Sequence, residues 1–197
     1  MKTVGDTSRD LPTFLFQNQK AWDVWLDGNH SSSPGVWLRL ARKASGVKSV
    51  SYAEALEVAL CYGWIDGQKK SGDENAWLQK FTPRAKKSIW SKINREKALA
   101  LIESGRMKTA GLNAIDRAKK DGRWEGAYDS QSAAAVPVDL QAALDKNARA
   151  KSFFATLDSH NRYAVLFRIH TAKRAETRAK RIQKFVEMLG KHEKLHP

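Results

Sequence analysis

Apolar positions along the chain change their period several times, and each change marks an element. Thr13, behind Pro12, reads as a helix N-cap, and a helix is predicted from there to about Gly28 with Ala21, Trp22, Trp25 and Leu26 as its apolar stripe. Gly35 to Lys43 then alternates like a strand, with Val36, Leu38 and Leu40 on one face and Trp37, Arg39 and Ala41 on the other. Ser51 followed by Glu54 forms a capping box for a helix repeating Tyr52, Ala55, Leu56, Ala59 and Leu60. Gly63 can stop it. Two strand-like runs, Trp64–Lys70 and Ala76–Thr82, flank the polar stretch Ser71–Asn75, which suits a hairpin closed by Pro83. A helix is expected from about Ser91 to Ser104, ending at Gly105. Thr109 should cap another that points Leu112 and Ile115 inward and ends at Asp121–Gly122.

Beyond Gly126 the texture shifts. The tract to Val136 is rich in Gly, Ala, Ser, Asp and Gln, and Pro137 follows, which marks a linker. All seven tryptophans lie before it, at 22, 25, 37, 64, 77, 90 and 124. The tail reads as helices: Asp139–Asn147, then Arg149–Leu157 with Phe153 and Phe154. A run capped by Ser159 holds Tyr163, Leu166, Phe167 and His170. A last helix over about 174–189 carries Ala175, Ala179, Ile182, Phe185, Val186 and Leu189 as its core-facing stripe. The expected architecture is α+β: a small antiparallel sheet packed by helices over residues 1–125, a linker over 126–137, and a compact C-terminal helical module over 138–197.

Charge changes this picture more than composition does. Lys and Arg number 35 against 21 Asp and Glu, a net +14, while the 42% hydrophobic share is ordinary. Residues 1–135 hold 22 basic and 15 acidic groups and 136–197 hold 13 and 6, so the shorter part is about twice as charge-dense. Such an excess gathers anions at the surface. A lone Cys61 allows no intrachain disulfide and no multi-cysteine metal site, and its place in an apolar helix suits a small buried thiol. Residues 1–10 show no export signal and no stretch reaches the length of a membrane span, so a cytoplasmic location is expected.

The densest candidate chemistry runs from Trp64 to Asn94. Trp64, Trp77, Phe81 and Trp90 interleave with Lys69, Lys70, Lys80, Arg84, Lys86 and Lys87, and rings beside cations suit stacked bases or planar anions. The bland counterpart is that most of these tryptophans are core and the charges a solvated rim. Strict alternation would put Lys70 with Trp64 and Asp66, and Lys69 with Ile65. A second patch lies in the last helix, where Arg174, Arg178 and Arg181 share a face and could track phosphates or meet an acidic protein. Asp66 is the weak candidate for acid–base work, and turn carboxylates such as Asp73 and Glu74 are usually structural. His192-Glu193-Lys194-Leu195-His196 fits the zinc-protease pattern, but Gly190 before it and Pro197 after it leave no helix and no third ligand, so it reads as coincidence. No Gly-rich phosphate loop or nucleophile elbow is present, and no cofactor or metal is expected.

Several longer strings are specific: Gly35-Val36-Trp37-Leu38-Arg39-Leu40, Ala59-Leu60-Cys61-Tyr62-Gly63-Trp64-Ile65-Asp66-Gly67-Gln68, Ser88-Ile89-Trp90-Ser91-Lys92-Ile93-Asn94, and Ala172-Lys173-Arg174 with Glu176-Thr177-Arg178. Together they resemble the YdeI/OmpD-associated family over about residues 13 to 190. The resemblance implies a bacterial protein bearing a label of bacteriocin protection or porin association. It carries over no reaction and no catalytic residues. The charge excess and the interleaving of Trp with Lys and Arg make non-enzymatic binding of an anionic partner the expected function, whether nucleic acid, nucleotide or acidic protein, in a stress-related setting. The alternative is an enzyme acting on a small anionic substrate in a sheet–helix cleft, with Asp66 as acid or base and Arg84 as anion anchor.

Overall fold

The computed structural model describes residues 11–197, and the reading of residues 1–10 as free of an export signal lies outside them. The chain divides into two compact units: one comprises the residues up to Trp90 together with Asn94–Gly126, the other Ser91–Ile93 together with Ala127–Pro197. A four-stranded sheet and eight helices account for the regular structure of the described residues, an α+β fold with a C-terminal helical module.

In the first unit the first element of the described residues is a short strand, β1 (Thr13–Phe14), not the expected helix. β1 lies parallel to β2 (Val36–Ala41), Thr13 opposite Trp37, and the Trp37 N–H donates to Pro12 O at 2.9 Å. The helix α1 (Gln19–Asn29) begins only after Asn18, whose side chain accepts from the Ala21 N–H at 2.9 Å. The physical reason is the period-two spacing of Phe14 and Phe16, which places their rings 5.5 Å from Trp25 and 5.2 Å from Trp22. Asn18 is then the stronger N-cap, one step from the helical stripe.

The helix α2 (Tyr52–Cys61) carries the expected capping box: Ser51 Oγ accepts from Glu54 N–H and the Glu54 carboxylate from Ser51 N–H. Two strands follow, β3 (Trp64–Ser71) and β4 (Ala76–Pro83), and the sheet order is β1-β2-β4-β3 with antiparallel pairing everywhere except β1 with β2. Phe81, opposite Val36, meets the Trp22 ring at 5.9 Å, so the Val36–Leu38–Leu40 face looks into the helices. Trp22, Leu26, Phe81 and Trp64 are at most 1% exposed.

The helices α3 (Lys92–Glu103) and α4 (Thr109–Lys120) follow. Thr109 is not the cap of α4. Lys108 takes that position without a side-chain bond, and its N–H donates to Cys61 O at 3.2 Å. Gly111, Ala114, Ile115 and Ala118 are the buried residues of α4, whereas Leu112, expected inward, is 39% exposed. Small side chains win this face because α4 runs tightly against the end of α2. A Cβ on Gly63, which sits at φ +69°, would lie 2.8 Å from Ala110 O.

The second unit packs α5 (Val138–Asp145), α6 (Ala148–Thr156), α7 (Ser159–His170) and α8 (Ala175–Gly190) around Leu140, Leu144, Phe154, Leu166, Ile169 and Phe185. Asp158, not Ser159, caps α7 by accepting from the Asn161 N–H at 2.8 Å. The stripe of α8 is buried at Ile182, Phe185 and Leu189, but Ala175 and Ala179 remain exposed. Within this unit Tyr163 Oη donates to Asp129 O at 2.9 Å and Lys92 pairs with Asp129 at 2.7 Å.

Candidate anion-binding surface

The hairpin of β3 and β4 departs from strict alternation. Asp66 lies opposite Phe81 and Lys69 opposite Gln79, so a bulge falls between Asp66 and Lys69. Two residues of β3, Gly67 and Gln68, then face one of β4, Lys80, and every side chain beyond the bulge changes face. Lys69 joins the face of Asp66, and Lys70 joins that of Ile65, the reverse of the alternation read from sequence. Gln79, 4% exposed, staples the bulge by donating from Nε2 to Gly67 O at 2.9 Å and Gln68 O at 3.3 Å.

The consequence is one ammonium group on each side of the strand. Lys69 Nζ stands 4.4 Å above the Trp77 ring and Lys70 Nζ 4.3 Å above the Trp37 ring. β3 is an edge strand, so these lysines also discourage pairing with another sheet. Lys86 and Lys87 are exposed in the loop after β4. The nearby carboxylates are engaged. Asp66 accepts from Tyr52 Oη at 2.8 Å, and Asp73 pairs with Arg39 at 2.6 Å. The Asp73 carboxyl sits below its usual range chiefly because it accepts the backbone N–H of Asn75.

The remaining aromatic candidates are structural. Trp64 donates Nε1–H to His30 O at 3.1 Å and stands edge-on to Trp22 and Trp25. Trp90 is 2% exposed against Trp124. Arg84, 7% exposed, lays its guanidinium 3.5 Å above Trp90 and donates to Ile89 O. Neither Asp66 nor Arg84 lines the first-unit cavities bounded by Lys20, Asp23 and Lys108 or by Phe16, Val24 and Trp25. The structure therefore gathers Lys69, Lys70 and Trp77 on the hairpin and sets Lys86 and Lys87 at its base, and does not join Trp64, Arg84 and Trp90 to them.

In the second unit, Arg178 forks onto Asp139 at 2.5 and 2.9 Å and donates to Ile169 O at 3.1 Å. Arg181 donates to Arg168 O and Thr171 Oγ1, closing the end of α7, while Arg174 is exposed. The fork holds the Asp139 carboxyl below the usual carboxylate range. A depressed folded pKa stabilises above the unfolded value, and that part disappears as pH falls through the folded one. The two side chains are 28% and 46% exposed, so solvent leaves the pair about 0.5–1 kcal/mol. Asp139→Asn should lower the unfolding free energy measured in urea by that amount at pH 7, and the gap to the wild type should close as pH falls below about 4. An equal gap at pH 3 and pH 7 would show that the charge of Asp139 is irrelevant.

The two histidines of the zinc-like pattern turn to different partners. His192, at φ 60° past the end of α8, stacks on Phe153, and His196 lies 4.5 Å from His160. Among the described residues no group of three His, Cys, Asp or Glu could hold a metal. No helix among them is long and apolar enough to cross a membrane. Cys61 is 3% exposed and burial pushes its thiol up to about 11. Native protein at pH 8 should therefore label with a thiol reagent about 100-fold more slowly than protein unfolded in urea. Equal rates would show that the thiol is open.

Sequence reasoning missed Gln79, and it missed a cavity of about 430 Å³ lined by Lys20, Asp23, Cys61, Arg106 and Lys108. Arg106-Met107-Lys108 between a glycine and a helix start was the one local signal, and it does not name the residues brought to face it.

Two family models match the chain, in separate stretches. Residues 133–192 match the family described as bacteriocin-protection, YdeI or OmpD-associated, which bears out the resemblance for the string at 172–178, while the strings at 35–40, 59–68 and 88–94 lie outside that stretch. Residues 14–114 match a domain of unknown function, DUF8412. No curated protein and no solved structure matches. Because the match over residues 14–114 spans the hairpin and half of the chain, the chain belongs to the DUF8412 family, and residues 133–192 behind that domain are similar to the YdeI/OmpD-associated family.

Proposed function

We propose that the chain is a non-enzymatic binding protein for an anionic partner, with nucleic acid the partner that fits its hairpin best. The observation that carries the reading is the pair of ring-backed ammonium groups, Lys69 on Trp77 and Lys70 on Trp37, on opposite faces of one edge strand. From Gln79, opposite Lys69, to Pro83 is about 13 Å of strand at 3.3 Å per residue, and Lys86 and Lys87 follow. Cations spread over that length suit a polymer with repeated phosphates. The net +14 raises its local concentration. Arg174 offers a further exposed cation on the tail. A cytoplasmic setting, with Cys61 kept reduced, and a role in stress tolerance belong to the same proposal.

The test is fluorescence anisotropy with labelled single- and double-stranded DNA and RNA across a salt series. Micromolar binding with a steep log–log salt slope is expected. Lys69, Lys70, Lys86 and Lys87 all changed to Gln should weaken it at least tenfold and flatten the slope by about 0.7–0.9 for each phosphate the variant no longer neutralises. No binding to any of these polymers at low salt would overturn the reading, and so would a slope unchanged in the quadruple variant.

A further inference from the structure

The cavity beside Cys61 has no part in the hairpin surface. Its walls come from three places: the first turns of α1, the last turn of α2, and the Gly105–Lys108 connection into α4. Among the described residues, Lys20, Arg106 and Lys108 line it against a single carboxylate, Asp23. Its volume of about 430 Å³ lies in the range of small-molecule sites, roughly 300–1,000 Å³.

The backbone adds to the cations. Gln19 and Lys20 open α1, and Lys108 is the N-cap of α4, so two helices of 11 and 12 residues point positive ends at the same space. The C-terminus of α2 also ends there, but its carbonyls are taken. Ala59 O and Leu60 O accept from Tyr62 and Gly63, and Cys61 O accepts from Lys108. Lys108 itself carries no side-chain cap bond. Asp23 is not idle either: Tyr62 Oη donates to it at 3.1 Å and to Asp27 at 3.3 Å. Burial, and then the bond to Asp23, push the Tyr62 phenol up, so it stays a donor and keeps that carboxylate fixed on the wall. Arg106 makes one ion pair, at 3.1 Å, with Glu57. A guanidinium has donors left for a second oxyanion after one such bond.

We infer that the cavity between α1, the end of α2 and the start of α4 binds a small phosphate-bearing molecule. Arg106 and Lys108 hold the phosphate, Lys20 closes the mouth, and Asp23 accepts from a hydroxyl on the rest of the ligand. The size of the cavity restricts it to small molecules, and Cys61 contributes a neutral wall, since its thiol is protonated.

The experiment is calorimetric titration of the full chain with inorganic phosphate and with glycerol phosphate at constant ionic strength. Chloride serves as the background anion, and labelling of Cys61 is a parallel readout. The wild type should bind both at sub-millimolar to millimolar concentration, glycerol phosphate more tightly, and the bound ligand should slow thiol labelling. Arg106→Gln and Lys108→Gln, each with an unchanged circular dichroism spectrum, should weaken binding about tenfold. Asp23→Asn should erase the preference for glycerol phosphate. The hairpin double variant Lys86→Gln/Lys87→Gln should bind like the wild type, which separates this site from the nucleic-acid surface. No heat and no protection in the wild type would overturn the inference. Equal weakening by the hairpin and cavity variants would also overturn it, by reducing the effect to general surface charge.

Discussion

Trp22→Ala should remove about 3–5 kcal/mol from the stability of the first unit, the largest single-residue effect expected in this chain. Trp22 is 0% exposed and stacks on Trp25 with ring centres 5.4 Å apart. Phe16, Trp64 and Phe81 surround it at 5.2, 6.3 and 5.9 Å. Truncation empties a volume that five rings share, and neighbours held by stacked, tilted and edge-on ring contacts relax only in part. It also removes the 3.1 Å bond from Trp22 Nε1–H to Ala55 O, leaving a buried carbonyl on α2 without that donor. Trp22→Phe isolates this second loss, because it keeps most of the volume. The measurement is the urea midpoint of the full chain by circular dichroism, with tryptophan fluorescence reporting the first unit. A loss of unfolding free energy below about 1 kcal/mol for Trp22→Ala would mean that this cluster does not hold the sheet to its helices.

Gly111→Ala is the second large effect, and its sign is the interesting part. In an ordinary helix interior the change stabilises by about 1 kcal/mol. Here a Cβ would run into Cys61 O and Met107 Sδ and come within 2.8 Å of Leu60 O. Met107 can swing aside, but two backbone carbonyls at the end of α2 cannot. The expected result is a loss of about 1–3 kcal/mol, as for overpacking elsewhere. Gly28→Ala, on α1 with nothing within 4 Å of its Cβ, is the matched control and should stabilise or be neutral. Since the α2–α4 packing also builds the wall of the Cys61 cavity, Gly111→Ala should quicken labelling of the thiol. A stabilised Gly111→Ala protein would show that α4 does not pack so closely.

The elements that read correctly from the chain share one trait: their signal is local. The capping box at Ser51 and Glu54, the stop at Gly63, the hairpin closed by Pro83 and the stripe of Ile182, Phe185 and Leu189 each lie within a few turns of backbone. The misreadings occur where a distant partner decides. Thr13 is a competent N-cap by type, but Trp37 and Leu38 of β2 recruit Thr13 and Phe14 into the sheet. Leu112 is the more hydrophobic choice for an inward position, but the close approach of α4 to the end of α2 puts Gly111 and Ala114 there, with Ile115 and Ala118 buried on the same face. Lys69 and Lys70 exchange faces because Gln79, a residue of the other strand, stabilises the bulge that precedes them.

The same division holds for the sites. Sequence marked Arg178 as a candidate for an external anion, whereas Asp139, 39 positions away, receives its guanidinium. It marked Trp64 and Trp90 as stacking platforms, and burial turned both into core. It passed over Lys20, Asp23, Arg106 and Lys108, which sit on three separate segments and acquire meaning only when α1 and α4 are brought to the end of α2. The chain by itself thus determined its α+β class, its basic surface, its isolated buried thiol and the position of most helix and strand boundaries. These follow from period, composition and nearest-neighbour chemistry. Only the tertiary structure decided which cations are spent inside the fold and which face solvent. A side chain's partners are set by what packing brings within hydrogen-bond distance, and no local pattern encodes that distance.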